Sequence, residues 1–311
     1  MSATPRKPRA SRPPVPPGLV VVDKESGMTS HDVVAVARRI LGTRKIGHAG
    51  TLDPMATGVL VLGVERATKL LGHLALDTKA YLATIRLGSA TTTDDAEGEV
   101  LTTSDASGIT EADVLAGIAP LVGDIQQRPS SVSAVKIDGK RAYARVRAGE
   151  DVELPPRPVT VHRFDVLGQR TEEEHTDIDV LVECSSGTYV RALARDLGAT
   201  LGVGGHLAAL RRTRVGPFGI GNAKTLATLE TKPELTLGLS DAVAAAFPRR
   251  DLDHAEASTL AHGGRVPNAG IEGAYGAFDD AGKLIALVSE KTGRPVSLVM
   301  FAAAGQGADV R

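Results

Sequence analysis

Strand-forming and helix-forming segments follow one another along this chain without a regular cadence, and that order limits its fold more than any other feature. Leu19-Val20-Val21-Val22 is a β-branched run that reads as a buried strand, leading into a turn at Asp23 to Gly27. Ser30 or Thr29 then caps a helix in which Val33, Ala37, Ile40 and Leu41 recur at helical spacing. Gly42 closes it and Arg38 and Arg39 are left to solvent. Gly47 to Thr57, rich in Gly, Thr and Pro, predicts a loop, followed by the apolar run Val59 to Val64 and a helix from Glu65 to Leu74. Tyr81 to Leu87 alternates like a strand, and Thr110 with Asp113 stands at capping-box separation at the head of a helix reaching Leu121. Pro158 to Leu167 and Thr176 to Cys184 predict two more strands, separated by the acidic Glu172-Glu173-Glu174. After Ser185-Ser186-Gly187, Thr188 caps a helix with the stripe Val190, Leu193, Ala194 and Leu197, ended by Gly198. A doubly wound sheet needs regular alternation of strand and helix. The expected class is therefore α+β, with a mixed, mainly antiparallel central sheet and flanking helices.

The ends of the chain differ from this middle. Residues 1–17 hold six prolines, Arg6, Lys7, Arg9 and Arg12 and no acid, which predicts a disordered basic tail. Phe247-Pro248-Arg249-Arg250 marks a boundary. Beyond it a short helix around His254 to Ala261, a hairpin of Tyr275 to Phe278 with Leu284 to Val288, and a strand from Val296 to Phe301 make a minimal unit that must lean on the larger one. The expected division is tail 1–17, main domain 18–246 and small β domain 251–311. Lys plus Arg number 36 against 37 Asp plus Glu, so any footprint for nucleic acid has to be local. One cysteine, Cys184, cannot make an internal disulfide, and no apolar run approaches a membrane span. A cytoplasmic, monomeric protein with no membrane partner is expected.

Several signatures of known chemistry are missing: no phosphate-binding Gly-x4-Gly-Lys-Ser/Thr, no paired Cys for zinc, no Gly-x-Ser-x-Gly turn. The densest segment is Gly47-His48-Ala49-Gly50-Thr51-Leu52-Asp53-Pro54-Met55-Ala56-Thr57-Gly58-Val59-Leu60. Pro54 restricts Asp53 to extended conformations and the flanking glycines permit close backbone approach, which is how a nucleophile or base is presented rigidly. An isolated Asp-Pro is usually just a turn, and a lone His such as His48 is more often structural than catalytic.

The whole string weighs differently, because it resembles the catalytic motif of the TruB-type tRNA pseudouridine synthases, which convert uridine 55 of the tRNA T loop to pseudouridine. Asp23-Lys24 with Gly27-Met28-Thr29-Ser30 is similar to that family's first motif. Lys79-Ala80-Tyr81 through Gly88, with Thr93-Asp94-Asp95 and Gly98, resembles its second strand and loop. Gln127-Arg128-Pro129-Ser130 with Ser133-Ala134-Val135-Lys136 and Gly139, then Gly187-Thr188-Tyr189-Val190-Arg191 with Asp196-Leu197-Gly198, continue the series in order from about Leu19 to Phe218. The resemblance implies a pseudouridine synthase fold with a small C-terminal PUA-like β domain. It implies Asp53 as the essential aspartate, Tyr81 stacked on the target base with a part in its deprotonation, and Arg191 paired with Asp53. It also implies His48 beside the T-loop bases, Lys24 close to the active-site loop, Tyr189 at the substrate and Leu210 lining the uracil pocket. A nucleophilic carboxylate can carry this isomerisation without redox or hydrolysis, so no cofactor, nucleotide or metal is expected, and tRNA, held by its T arm, is the expected partner. Assistance to tRNA folding is a further implied role.

Two acid-poor stretches suit a phosphate-lined groove. Arg128 to Arg147 carries Arg128, Lys136, Lys140, Arg141, Arg145 and Arg147 against Asp138 alone, and by resemblance is the mobile insertion, about 124–150, that closes on the T arm. Leu197 to Leu229 contains Arg211, Arg212, Arg214 and Lys224 and no acid. Two other readings stay open on sequence: a non-catalytic RNA-binding protein, and a glycosidase pairing Asp53 with Asp94 or Asp95.

Overall fold

The computed structural model of the protein describes residues 14–75, 78–130, 136–137, 140–141, 154–290 and 293–302, with the side chains at 136–137 and 140–141 outside that description. In chain order the strands of the first half are β1 (Gly18–Lys24), β2 (Ile46–Ala49), β3 (Thr57–Val64), β4 (Lys79–Leu87), β5 (Ser89–Thr91), β6 (Val100–Thr103), β7 (Gly123–Gln127), β8 (Lys136–Ile137) and β9 (Lys140–Arg141). The second half adds β10 (Arg157–Glu172), β11 (His175–Cys184), β12 (Gly205–Val215), β13 (Phe218–Gly219), β14 (Leu237–Gly238), β15 (Arg249–Asp251), β16 (Ala274–Phe278), β17 (Leu284–Ser289) and β18 (Val296–Met300). The helices are α1 (Ser30–Leu41), α2 (Leu71–Leu74), α3 (Glu111–Ile118), α4 (Val190–Thr200), α5 (Leu226–Thr231), α6 (Leu239–Ala246) and α7 (His254–Ala261).

Leu19-Val20-Val21-Val22 lacks polar alternation because β1 is covered on both faces. Val20 and Val22 pack with Leu60 and Leu62 of β3 and with Val33, Val34 and Ala37 of α1, in the core that also takes in α3 and α4. Leu19 and Val21 point the other way, with Val59 and Val61, into a second core. A strand buried on both sides has to be apolar throughout. The main sheet orders its strands β14-β1-β3-β12-β4-β11-β10-β7, with β2 on β3 and β13 on β12. Its strand pairs are antiparallel except β3 with β12, which run parallel over Thr57 and Gly58 against Arg211 and Arg212. The expected mixed, mainly antiparallel sheet is what forms.

The small sheet, β15-β16-β17-β18, follows. Its Phe278, Leu284, Leu287 and Phe301 bury against Leu19, Val21, Val59 and Val61, so the C-terminal unit and the rear of the main sheet share one core. Arg66 Nη1 donates to Phe301 O at 2.6 Å across the same seam. No helix among the described residues is long and apolar enough to cross a membrane.

Local chemistry explains the element ends, and in five places moves them from where sequence put them. Thr29, rather than Ser30, caps α1, in a reciprocal capping box with Asp32. The loop after α1 is shorter than expected, because Ile46 to Ala49 pairs antiparallel with Val64 to Val61 and places His48 on a strand. The segment from Glu65 to Leu70 is a 3-10 helix with only one α turn after it. Its first residue, Glu65, sits in the left-handed region at φ 54°, tied by its N–H to Lys45 O. β10 continues past Leu167 to Glu172, since its ladder with β11 runs out to the Glu172–His175 pair. Thr188 does not cap α4. Tyr189 holds that position without a side-chain cap, and its backbone is held by Gln127, whose amide both donates to Tyr189 O and accepts from Tyr189 N–H. Gly198 does not end α4 either: a Cβ there would lie 2.1 Å from Gly205 N, so its role is the close crossing of α4 with the start of β12.

Candidate active site

The segment between β2 and β3 is a loop whose carbonyls are taken up one after another. Arg212 of β12 donates to Gly50 O (3.0 Å) and Thr51 O (3.3 Å). Ser30 Oγ donates to Leu52 O (3.0 Å) and accepts from Leu52 N–H (2.8 Å). Ala56 N–H closes a turn onto Asp53 O at 3.1 Å. Lys24 Nζ (3.1 Å) and Gly27 N–H (2.9 Å) both reach Pro54 O, and Ser26 Oγ reaches Met55 O at 3.2 Å. The first motif of the sequence, Lys24 to Ser30, is therefore the cradle of the second. Gly58, at φ 98°, closes the loop where a Cβ would meet Arg212 O at 2.1 Å, so only glycine lets β3 and β12 cross there.

Held in this way, Asp53 turns its carboxylate to the Arg191 guanidinium, with Oδ2 3.0 Å from Nε. Arg191, in the first turn of α4, is only 5% exposed and is shared: Nη1 lies 3.3 Å from Asp95 Oδ2 and donates to Thr93 O at 2.9 Å. Asp95 is itself buried and accepts from Thr93 Oγ1 (2.5 Å) and Glu97 N–H (3.1 Å). One guanidinium thus joins two carboxylates, one facing the cavity and one behind it. From sequence Asp95 stood in a family-like motif and as a possible glycosidase partner of Asp53, with no part in holding Arg191. Asp94, the alternative partner in that reading, turns away to Arg195 at 3.0 Å.

A cavity of about 270 Å³ opens beside Asp53, lined by Tyr81, Tyr189, Arg191, Leu210 and Arg212 among others. That is near the small end for ligand pockets and suits one flipped nucleoside rather than a stretch of chain. Tyr81 and Leu210 stand on neighbouring strands, Leu210 opposite Ala83, so both apolar walls come from the sheet. Burial pushes the Tyr81 phenol up, and the adjacent Arg212 charge opposes that push. Lys79, also buried, lines the cavity and donates to Ala75 O at 3.0 Å. Among the described residues, no three His, Cys, Asp or Glu side chains gather as a metal site.

Comparison with known proteins settles the family. Residues 38–190 match the family model for the TruB family pseudouridylate synthase N-terminal domain. Residues 191–236 match the tRNA pseudouridylate synthase B C-terminal domain, and residues 247–302 the C-terminal domain of tRNA pseudouridine synthase II. The tRNA pseudouridine synthase B of Nocardia farcinica is 66% identical over 91% of this chain and 93% of its own length. That of Rhodococcus jostii is 62% identical over the same shares. This chain belongs to the TruB family of pseudouridylate synthases. A solved H/ACA RNP bound to a substrate RNA containing 2'-deoxyuridine has the same fold, with a TM-score of 0.68 at 25% identity over 92% of this chain and 85% of that one.

The TruB-type residues named from sequence fall into four groups. Asp53, Tyr81, Tyr189, Arg191 and Leu210 meet at the one cavity. Lys24 stands behind it. Fully buried, it spends its three N–H donors on Glu25 O, Met28 O and Pro54 O, so it anchors the loop and has no donor to offer a substrate. Burial lowers its ammonium below the ordinary lysine range. His48 is half-buried on β2, its ring edge-on to His31 at 5.4 Å, and is not among the residues lining the cavity. Lys136, Lys140 and Arg141 lie on the short β8–β9 hairpin, with side chains outside the description.

The basic stretch from Leu197 to Leu229 is not the open phosphate face its composition suggests. Arg211 pairs with Asp23 at 2.7 Å, Arg214 with Glu183 at 3.3 Å and Lys224 with Glu234, while Arg212 is buried at 1% exposure. Each neutralising acid comes from a segment distant in sequence or beyond the stretch, which is why a local count of charges overstates what is left for RNA.

Proposed function

We infer that this chain isomerises uridine 55 in the tRNA T loop to pseudouridine, with Asp53 as the nucleophile. The observation that carries the reading is the carboxylate of Asp53, held by a bonded loop against Arg191 at the edge of a cavity sized for one nucleoside. The reaction breaks the bond from uracil N1 to ribose C1', turns the base and forms a bond from C5 to C1'. N1 gains a proton and C5 loses one, so nothing is consumed. A carboxylate can take the place of one bond partner during the turn. Tyr81 and Leu210 supply flat and apolar surfaces that hold a base taken out of its stack. Arg191, with Nε 3.0 Å from Asp53 Oδ2, holds the carboxylate in one orientation for attack. In this reading the chain acts as a monomer in the cytoplasm and grips the T arm through Lys136, Lys140 and Arg141. Residues 18–246 serve as the catalytic domain and 251–311 as the accessory one, and the grip on the T arm can also assist tRNA folding.

The test is tRNA transcript incubated with purified protein alone, then mapped for pseudouridine by carbodiimide-blocked primer extension. Pseudouridine at position 55 is expected from the wild type and none from Asp53→Asn, with tRNA affinity kept within a few fold, because the substitution removes a nucleophile but no phosphate-binding group. Turnover by Asp53→Asn near the wild-type rate, or free uracil as product, overturns the reading.

A further inference from the structure

Arg212 has the largest side chain among the fully buried residues described, yet no described carboxylate pairs with it. Its neighbours in β12 behave differently, Arg211 and Arg214 each meeting an acid at the surface. A buried guanidinium without a counter-ion is costly and is kept only where its hydrogen bonds do something an apolar side chain cannot. Three of its N–H groups donate to backbone carbonyls on the two sides of the Asp53 loop: Nε to Val59 O in β3 at 2.8 Å, Nη1 to Thr51 O at 3.3 Å and Nη2 to Gly50 O at 3.0 Å. Gly50 and Thr51 are the leg that leads into Asp53, and Val59 stands on the strand after the loop.

We propose that Arg212 is a positioning residue for Asp53, a clamp that ties the strand after the Asp53 loop to the leg that leads into it. The inference rests on the reading of Asp53 as nucleophile. Lys24, Ser26, Gly27 and Ser30 hold the loop from Leu52 to Met55. None of them bonds to Gly50 or Thr51, so without Arg212 that leg loses its side-chain anchor. The rigid planar fork of an arginine spans acceptors on two legs, whereas the single nitrogen of a lysine does not. The same guanidinium lies beside the Tyr81 hydroxyl, so one buried charge orders both the nucleophile loop and the base-facing phenol. Because Arg212 forms the back of the cavity and contributes no outer surface, its loss acts on the chemical step and leaves tRNA capture alone.

The experiment compares wild type, Arg212→Lys, Arg212→Met and, as control, Asp53→Asn, by kcat and KM on tRNA transcript, thermal melting, and amide hydrogen exchange over residues 50–59. Arg212→Met keeps much of the volume while removing the buried charge. Both Arg212 variants are expected to lose kcat by 100-fold or more, with KM within threefold. Loop amides should exchange at least tenfold faster, with exchange in β1 and β11 unchanged. Should Arg212→Met fail to fold, Arg212→Lys decides alone. A kcat within twofold of wild type in a folded variant, or unchanged loop exchange, overturns the clamp. So does a fall in kcat matched by an equal fall in folded protein. If the wild type forms no pseudouridine the reading of Asp53 fails instead, and the exchange measurement still decides whether Arg212 holds the loop.

Discussion

Replacing Arg191 by alanine should hurt the protein twice, and the structure says by how much. The guanidinium is 5% exposed and bridges Asp53, 37% exposed, to Asp95, 4% exposed. Removing one member of a buried ion pair costs about 3–5 kcal/mol, because the other charge is left without a partner. Asp95 would keep its bonds from Thr93 Oγ1 and Glu97 N–H, which places the destabilisation at the lower end, about 3 kcal/mol. The pairing with Asp53 is screened by solvent and adds at most about 1 kcal/mol. For a chain of 311 residues that is a fall in Tm of roughly 5–6 °C. Activity should drop further, by about 100- to 1000-fold, since the Asp53 carboxylate loses the charge that orients it. Arg195, one helical turn on, pairs with Asp94 and Asp196 at 28% exposure. Arg195→Ala should therefore cost about 1 kcal/mol and leave turnover within a few fold. The assay is single-turnover release of tritium from tRNA labelled at uracil C5, run well below both melting temperatures, beside thermal melts. Equal small effects at the two positions would refute the shared guanidinium.

Three further outcomes follow from the same geometry. Gly58→Ala forces a Cβ to within 2.1 Å of Arg212 O at φ 98°, and should destabilise by about 3 kcal/mol or prevent folding, read by urea denaturation. Burial holds the Lys24 ammonium below its ordinary value of 10.5, so the unfolded chain binds more protons just below that pH and folded stability rises with pH there. The urea midpoint of the wild type should accordingly gain on that of Lys24→Met between pH 7 and pH 10, and a gap that moves the other way contradicts the burial argument. Neutralising Lys136, Lys140 and Arg141 together should weaken binding to every tRNA alike and flatten the slope of log K against log salt by roughly 0.7–0.9 for each phosphate no longer neutralised; an unchanged slope in a salt titration would make these charges a solvated face.

Much of the local structure was legible from pattern alone. The capping pair Thr110 with Asp113 forms as expected, and Thr29, one of two cap candidates, forms the same box with Asp32, since each bond joins residues three apart and needs nothing else. The small hairpin of β16 and β17 turns at Asp279 to Gly282 for the same reason. Asp53, Tyr81, Arg191 and Leu210 could be named because ordered motifs resemble a family. Their convergence depends on four separate elements: a loop, two strands and a helix.

The fate of charges was not legible. Arg211, Arg212 and Arg214 look alike in sequence as a basic run. Successive residues of a strand face opposite sides, so register assigned Arg211 to Asp23, buried Arg212 behind the Asp53 loop and, past a bulge, turned Arg214 to Glu183. Lys24 shared that obscurity, because three carbonyl partners, one of them thirty residues on in sequence, turned a lysine expected close to the active-site loop into its buried anchor. Backbone preference and apolar periodicity are short-range, so the order of residues alone marks most strands, helices and turns and the loop that carries Asp53, but not β2, which exists only through its pairing with β3. An electrostatic partner is whatever folding brings within about 4 Å, so it took the packed arrangement of strands and helices to separate the cations left for RNA from those spent on holding Asp53 in place.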